Sequence, residues 1–144
     1  MRAGYVVCAA ATVVLFVAGL SAVFAENARD ALTYLLEAYY FHGNFRCINC
    51  HNMERWTRET IESSFKKEIM SGKLVFQIIN TDTKGNEHFM TDYQLYTKSV
   101  VLALIKDGKE VRYENLAKVW DHLRSEDGFC RYIKGEIERY LKEL

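Results

Sequence analysis

Residues 34–41, YLLEAYYF, form a mostly apolar, aromatic run that stops at His42-Gly43-Asn44, with Cys47-Ile48-Asn49-Cys50-His51 close behind. The run reads as a buried strand halted by a turn. Beyond the cysteines, Met53, Trp56, Thr57, Thr60, Ile61, Ser64, Phe65 and Ile69 recur at helical spacing with charges between them. That pattern predicts an amphipathic helix of about five turns that opens at or near the cysteines, and Ser71-Gly72 stops it. No other feature constrains the fold as tightly. A strand that hands two cysteines to the start of a helix sets the polarity of both elements and gathers both sulfurs at one helix end.

The rest of the chain fills in around this unit. Residues 27–32 suit a short helix. Residues 74–80, LVFQIIN, suit a second strand, followed by a loop at Thr83-Lys84-Gly85-Asn86. Residues 87–95 suit another short helix, and residues 100–105, VVLALI, a fully buried strand. Lys106-Asp107-Gly108-Lys109 is a hairpin turn, with residues 110–113 as the returning strand. Leu116, Val119, Trp120 and Leu123 share one helical face; Phe129, Ile133, Ile137, Leu141 and Leu144 share another. At such spacing Trp56 and Trp120 read as core. The order is β-α-β-α-β-β-α.

A strand leading into C-x-x-C at a helix start, with a late Asp-Gly hairpin before a final helix, resembles the thioredoxin-like superfamily. More narrowly, the chain resembles small exported bacterial thioredoxin-like proteins. The residues carrying that likeness are Tyr40-Phe41-His42, Arg46-Cys47-Ile48-Asn49-Cys50, Asn86-Glu87-His88-Phe89 and residues 93–100, YQLYTKSV. The resemblance implies an α/β three-layer sandwich, a central mixed sheet flanked by helices, spanning residues 26–144. Two departures stand out. The chain of 144 residues has no proline, so Ser99 or Val100 takes the place of the family's cis-proline opposite the dithiol. The buried carboxylate that the family keeps on the strand before the motif is replaced by Phe41, with His42 beside it.

The motif supports two chemistries. As a dithiol, Cys47 is the nucleophile and Cys50 the resolving thiol. The attacking species is a thiolate, and a helix N-terminus favours it through unpaired amides and the macrodipole. Arg46 beside it, and His51 when protonated, add positive charge. His42 reads first as a polar end to the strand, and as a proton shuttle if it faces the sulfurs. As C-x-x-C-H, the same residues are an attachment site for haem c, with thioethers at Cys47 and Cys50 and His51 as axial ligand. Met70, His88, Met90 or His122 would then be candidate distal ligands. The several strand patterns favour the dithiol, which needs no cofactor. A copper chaperone is a third reading, because two thiolates suit Cu(I); the spacing and the distant histidines fit it less well.

Residues 1–25 carry one charge, Arg2, then a long apolar run ending Ala22-Val23-Phe24-Ala25, after which the chain turns polar. This reads as a signal peptide cleaved after Ala25, with an uncleaved N-terminal anchor as the alternative. The expectation is a periplasmic or otherwise exported protein, touching the membrane only through that segment. Cleavage would remove Cys8 and leave three of the four cysteines, too few for a disulfide scaffold. A bond closing the tiny 47–50 loop adds little stability, so the pair points to chemistry. Cys130, on the apolar face with Ile133 and Ile137, reads as core. Residues 26–144 hold 18 basic against 19 acidic residues, a net charge of −1, which gives no electrostatic case for nucleic acid. The expected partners are exported proteins or small thiols and disulfides, with an upstream redox protein to regenerate the dithiol.

Overall fold

The computed structural model describes residues 34–144. The leader at 1–25, Cys8 and the helix expected over 27–32 lie outside the described residues.

The elements, in chain order, are β1 (Tyr34–His42), α1 (Ile48–Ser64), α2 (Lys66–Met70), β2 (Leu74–Asn80), α3 (His88–Asp92), β3 (Ser99–Lys106), β4 (Lys109–Asn115), a 3₁₀ turn (Ala117–Trp120) and α4 (Glu126–Leu141). The four strands form one mixed sheet in the order β2-β1-β3-β4. β1 and β2 run parallel, with Tyr40 opposite Ile78. β3 runs antiparallel to β1, with Tyr40 opposite Val100, and β4 returns antiparallel to β3. Helix α1 is the crossover that parallel pairing requires. This topology is the thioredoxin-like α/β fold that the resemblance implies.

Strand alternation sorts β1 onto two cores. Leu36, Ala38 and Tyr40 face one side, where Met53, Trp56 and Ile61 of α1 meet Phe129, Ile133, Ile137 and Tyr140 of α4. Tyr39 and Phe41 face the other, with Tyr93, Leu95, Val101 and Ala103. The second core is thinner and aromatic: the Phe41 and Tyr93 rings lie 5.4 Å apart. Its tyrosine hydroxyls find carboxylates, as buried hydroxyls must. Tyr93 donates to Glu110 at 2.6 Å and Tyr39 to Glu37.

Several boundaries differ from expectation. The long helix breaks at Phe65, whose φ of −125° and ψ of 31° leave the helical region. Just before it, the Ser63 hydroxyl donates to the Glu59 carbonyl at 2.6 Å, a back-bond that bends helices, while Phe65 itself is buried. Helix α3 is shorter than predicted because Gln94 takes a left-handed φ of 50° soon after it. The face of Leu116, Val119, Trp120 and Leu123 makes only a 3₁₀ turn. Leu116, just past β4, is tied back to β3, its amide donating to the Val100 carbonyl at 2.8 Å, and the Trp120 indole donates to the Lys98 carbonyl at 3.1 Å. Little chain then remains before Ser125, which caps α4 by accepting from the Gly128 amide at 3.2 Å. No helix among the described residues is long and apolar enough to cross a membrane.

Candidate functional site: a dithiol at the start of α1

Strand β1 ends and α1 begins with five residues between them. Cys47 is the N-cap of α1, in extended conformation (φ −94°, ψ 173°). An N-cap side chain sits over the unpaired amides of the first turn. Cys50 lies one turn in. Their burial differs sharply: Cys47 is exposed, whereas Cys50 is 1% exposed. The two Sγ atoms are 2.8 Å apart as free thiols.

This geometry splits the two acidities. Cys47 lies below the usual thiol range; the largest cause is the hydrogen bond from the Cys50 thiol, followed by the amides of Cys50 and Asn49. Cys50 lies above that range, first because it is buried and then because it is bonded to Cys47. The outer sulfur is therefore the easier of the two to ionise, and the inner one holds its proton more tightly. An accessible thiolate beside a shielded thiol is what attack followed by resolution needs.

The helix start is tied to the sheet. Tyr40 donates its hydroxyl proton to the Cys50 carbonyl at 2.7 Å. Arg46 pairs with Glu54, which also holds Arg58 at 3.2 Å, and the Arg46 guanidinium lies 5.9 Å from the Tyr40 ring centroid. Arg46 is thus engaged with a carboxylate next to the dithiol. Its Nε is buried with no protein partner. Burial alone would raise the Glu54 carboxyl, but hydrogen bonds and charge from Arg46 and then Arg58 outweigh it, and the group ends below the usual range.

The other expected site residues lie as follows. His42 is half-buried at the end of β1, its Nδ1 3.0 Å from the Gly43 carbonyl and its ring 5.9 Å from that of Tyr40. His51 is exposed on the first turn of α1, and among the described residues its side chain has no hydrogen-bond or ring partner. Ser99 and Val100 are buried at the start of β3, with the Ser99 hydroxyl bonded to the Thr97 carbonyl at 2.9 Å. Met70 is exposed at the end of α2, His88 bonds Asp92 at 2.7 Å, Met90 is exposed on α3, and the His122 ring stacks on Tyr132. Among the described residues no three His, Cys, Asp or Glu side chains gather where they could hold a metal ion. Cys130 is half-buried against the core between α1 and α4.

Sequence reasoning missed four residues of the site. Tyr40 and Glu54 brace the helix start; strand alternation and helical spacing from Cys50 were the available signals. Lys98 lowers the acidity shift of Cys50 by its charge, and its place just before Ser99 was the clue. Phe45, two residues before Cys47, stands exposed with the Lys98 ammonium 5.9 Å from its ring centroid.

The protein thus has a thioredoxin-like fold that carries a C-x-x-C dithiol at a helix N-terminus. No family model and no curated protein matches the chain. Among solved structures it is similar to a thioredoxin of Fasciola hepatica, at 23% identity and a TM-score of 0.38, over 74% of this chain and 90% of that one. The fold assignment rests on the strand order and directions given above.

Proposed function

We propose that the protein is an exported thiol–disulfide oxidoreductase that works without a bound cofactor. The observation that carries the reading is the pair of unequal sulfurs: Cys47 exposed and acidified, Cys50 buried and bonded to it at 2.8 Å. The Cys47 thiolate attacks one sulfur of a partner disulfide. A new bond forms between Cys47 and that sulfur, the partner's S–S bond breaks, and the departing thiolate takes a proton from solvent. Cys50 then loses its proton and attacks Cys47 Sγ, releasing the partner's second thiol. The partner gains two electrons and two protons, and the protein holds a Cys47–Cys50 disulfide. An external dithiol protein restores it, and the same steps reversed oxidise a partner. The family's buried carboxylate has no counterpart on β1 at Phe41, so the proton of Cys50 leaves by another route.

Export rests on the leader pattern of residues 1–25. Expressed with that segment in a bacterial host, the mature protein should begin at Glu26 by intact mass.

The decisive experiment is trapping. Cys50→Ser should accumulate mixed disulfides at Cys47, and the wild type should turn over hydroxyethyl disulfide with a dithiol donor. An accessible Cys47 that traps nothing and turns over nothing would sink the reading. The haem arrangement of the same motif needs a thioether at Cys50, whose burial at 1% exposure would require the start of α1 to move. A Soret band with the mass of one covalent haem, in a host with the attachment machinery, would replace the dithiol reading with that one.

A further inference from the structure

A groove of about 340 Å³ runs between α1 and α4, on residues that the dithiol chemistry does not use. That volume lies within the range of small-molecule sites, about 300–1,000 Å³. Asp127, Cys130, Arg131 and Lys134 line it from α4, at the three- and four-residue spacing that brings side chains onto one helical face. Glu59, Thr60 and Ser63 line it from α1.

Two observations in this groove are independent of each other. The first is Cys130. Its thiol is free and half-buried; it packs on the core and also borders the groove. The second is Thr60. It is 5% exposed, and its Oγ1 is sealed from water without a hydrogen-bond partner. Buried hydroxyls are satisfied as a rule, and those on either side of it along α1 are bonded. Thr57 donates to the Met53 carbonyl at 2.7 Å and Ser63 to the Glu59 carbonyl at 2.6 Å. The Thr60 hydroxyl bonds nothing in the fold, yet the residue lines the groove, which leaves its donor for a ligand.

The charges narrow the ligand. Glu59 and Glu126 are both held by Arg55, at 3.1 and 3.2 Å. Lys134 reaches Glu138 at 3.9 Å. Asp127 and Arg131 have no ion pair among the described residues. One spare anion and one spare cation therefore flank the sulfur, and a matching ligand carries both a carboxylate and an ammonium.

We propose that the α1–α4 groove is a thiolation site, at which Cys130 takes a small zwitterionic thiol of the glutathione type as a mixed disulfide. The Cys130 thiol loses its proton to solvent, and the thiolate attacks one sulfur of the small-molecule disulfide. A bond forms between Cys130 Sγ and that sulfur, the original S–S bond breaks, and the departing thiolate takes up a proton. The small disulfide is the oxidant, and one of its halves leaves as the thiol. Arg131 meets a carboxylate of the bound half, Asp127 meets its ammonium, and the Thr60 hydroxyl donates to one of its carbonyls. The site is separate from Cys47 and Cys50 and does not depend on their role.

The test isolates Cys130. Full-length protein carrying Cys47→Ser and Cys50→Ser is incubated with glutathione disulfide or with uncharged hydroxyethyl disulfide. Peptide mapping by mass spectrometry reads the rate of adduct formation at Cys130. The ratio of the two rates is compared with the same ratio for the chain unfolded in urea, which removes the intrinsic difference between the reagents. The folded ratio should exceed the unfolded one about tenfold, the worth of two exposed ion pairs and one hydrogen bond. Arg131→Gln, Asp127→Asn and Thr60→Val should each bring it down. Thr60→Val should also raise the urea midpoint of the unmodified protein, because it deletes an unpaired buried hydroxyl. No adduct at Cys130, a folded ratio equal to the unfolded one, a ratio unmoved by all three variants, or a Thr60→Val midpoint below that of the wild type would overturn the proposal.

Discussion

The hydroxyl of Tyr40 donates a 2.7 Å hydrogen bond to the backbone carbonyl of Cys50. A fully buried residue of the central strand thereby holds the first turn of the helix that carries the dithiol. Burial is also the main reason that the phenol lies well above the usual tyrosine range. It stays protonated and keeps donating at any pH the fold meets.

Tyr40→Phe should therefore keep the fold and loosen the helix start. The ring remains, the hydroxyl goes, and the Cys50 carbonyl loses a buried partner. The expected cost is about 1 kcal/mol, read as a lower urea midpoint with an unchanged slope. Hydrogen exchange at the amides of the first turn of α1 should quicken more than exchange in the strands. A variant as stable and as protected as the wild type would mean that the bond does not brace the site.

The split between the sulfurs predicts a pH profile. Alkylation of Cys47 by iodoacetamide, in a Cys130→Ser background, should have its midpoint below that of an unperturbed thiol. Cys50→Ala should move the midpoint up, because the Cys50 thiol is the largest cause of the depression. The two sulfurs act oppositely on stability. The depressed Cys47 contributes above its unfolded pKa and loses that contribution as pH falls through the folded one. The raised Cys50 contributes below its unfolded pKa and loses that as pH rises through the folded one. Cys47→Ala, which keeps the buried Cys50 and removes the opposing shift, should thus lose more stability across alkaline pH than reduced wild type, in urea melts under reductant.

The order of elements along the chain was legible because each carries its own signal. Strand β2 falls on residues 74–80 as predicted from its apolar run, and Asp107-Gly108 makes the β3–β4 turn. The failures lie where tertiary contacts override periodicity. The face of Leu116, Val119, Trp120 and Leu123 looks helical, but the Leu116 amide is spent on Val100 and the Trp120 indole on Lys98. The cysteines were legible as a pair at a helix start. Their unequal roles were legible too, with Cys50 a turn further in and more buried; its contact with Tyr40 was not, because that depends on how α1 sits on β1. The engagement of Arg46 with Glu54 was equally hidden, since eight residues separate them on the chain. Phe45 and Lys98 come from two loops that meet only in the folded chain.

Glu54 gives a third prediction. Its carboxylate holds both Arg46 and Arg58 beside the dithiol, and it lies below the usual carboxylate range. Glu54→Gln should cost about 1 kcal/mol at neutral pH, because Arg46, mostly buried, loses its counter-charge. A depressed carboxyl contributes stability above its unfolded pKa, near about 4.3, and loses it as pH falls through the folded value. The gap between wild type and variant should therefore be full at pH 7 and close in acid. A gap that is constant with pH would assign the effect to packing.

Gly43 supplies the last. A Cβ at this position would stand 2.9 Å from Asp82 Oδ2, and that oxygen accepts from the Asn44 amide at 2.7 Å. Gly43→Ala should push the carboxylate aside and break the bond, at a cost of about 1 kcal/mol. Asp82→Ala breaks the same bond from the other end. Because both changes act through one contact, the double variant should cost about as much as the dearer single one, where independent sites would add. Urea midpoints for the four proteins of the cycle read this directly. Simple additivity would mean that Gly43 is kept for something other than the close approach of Asp82.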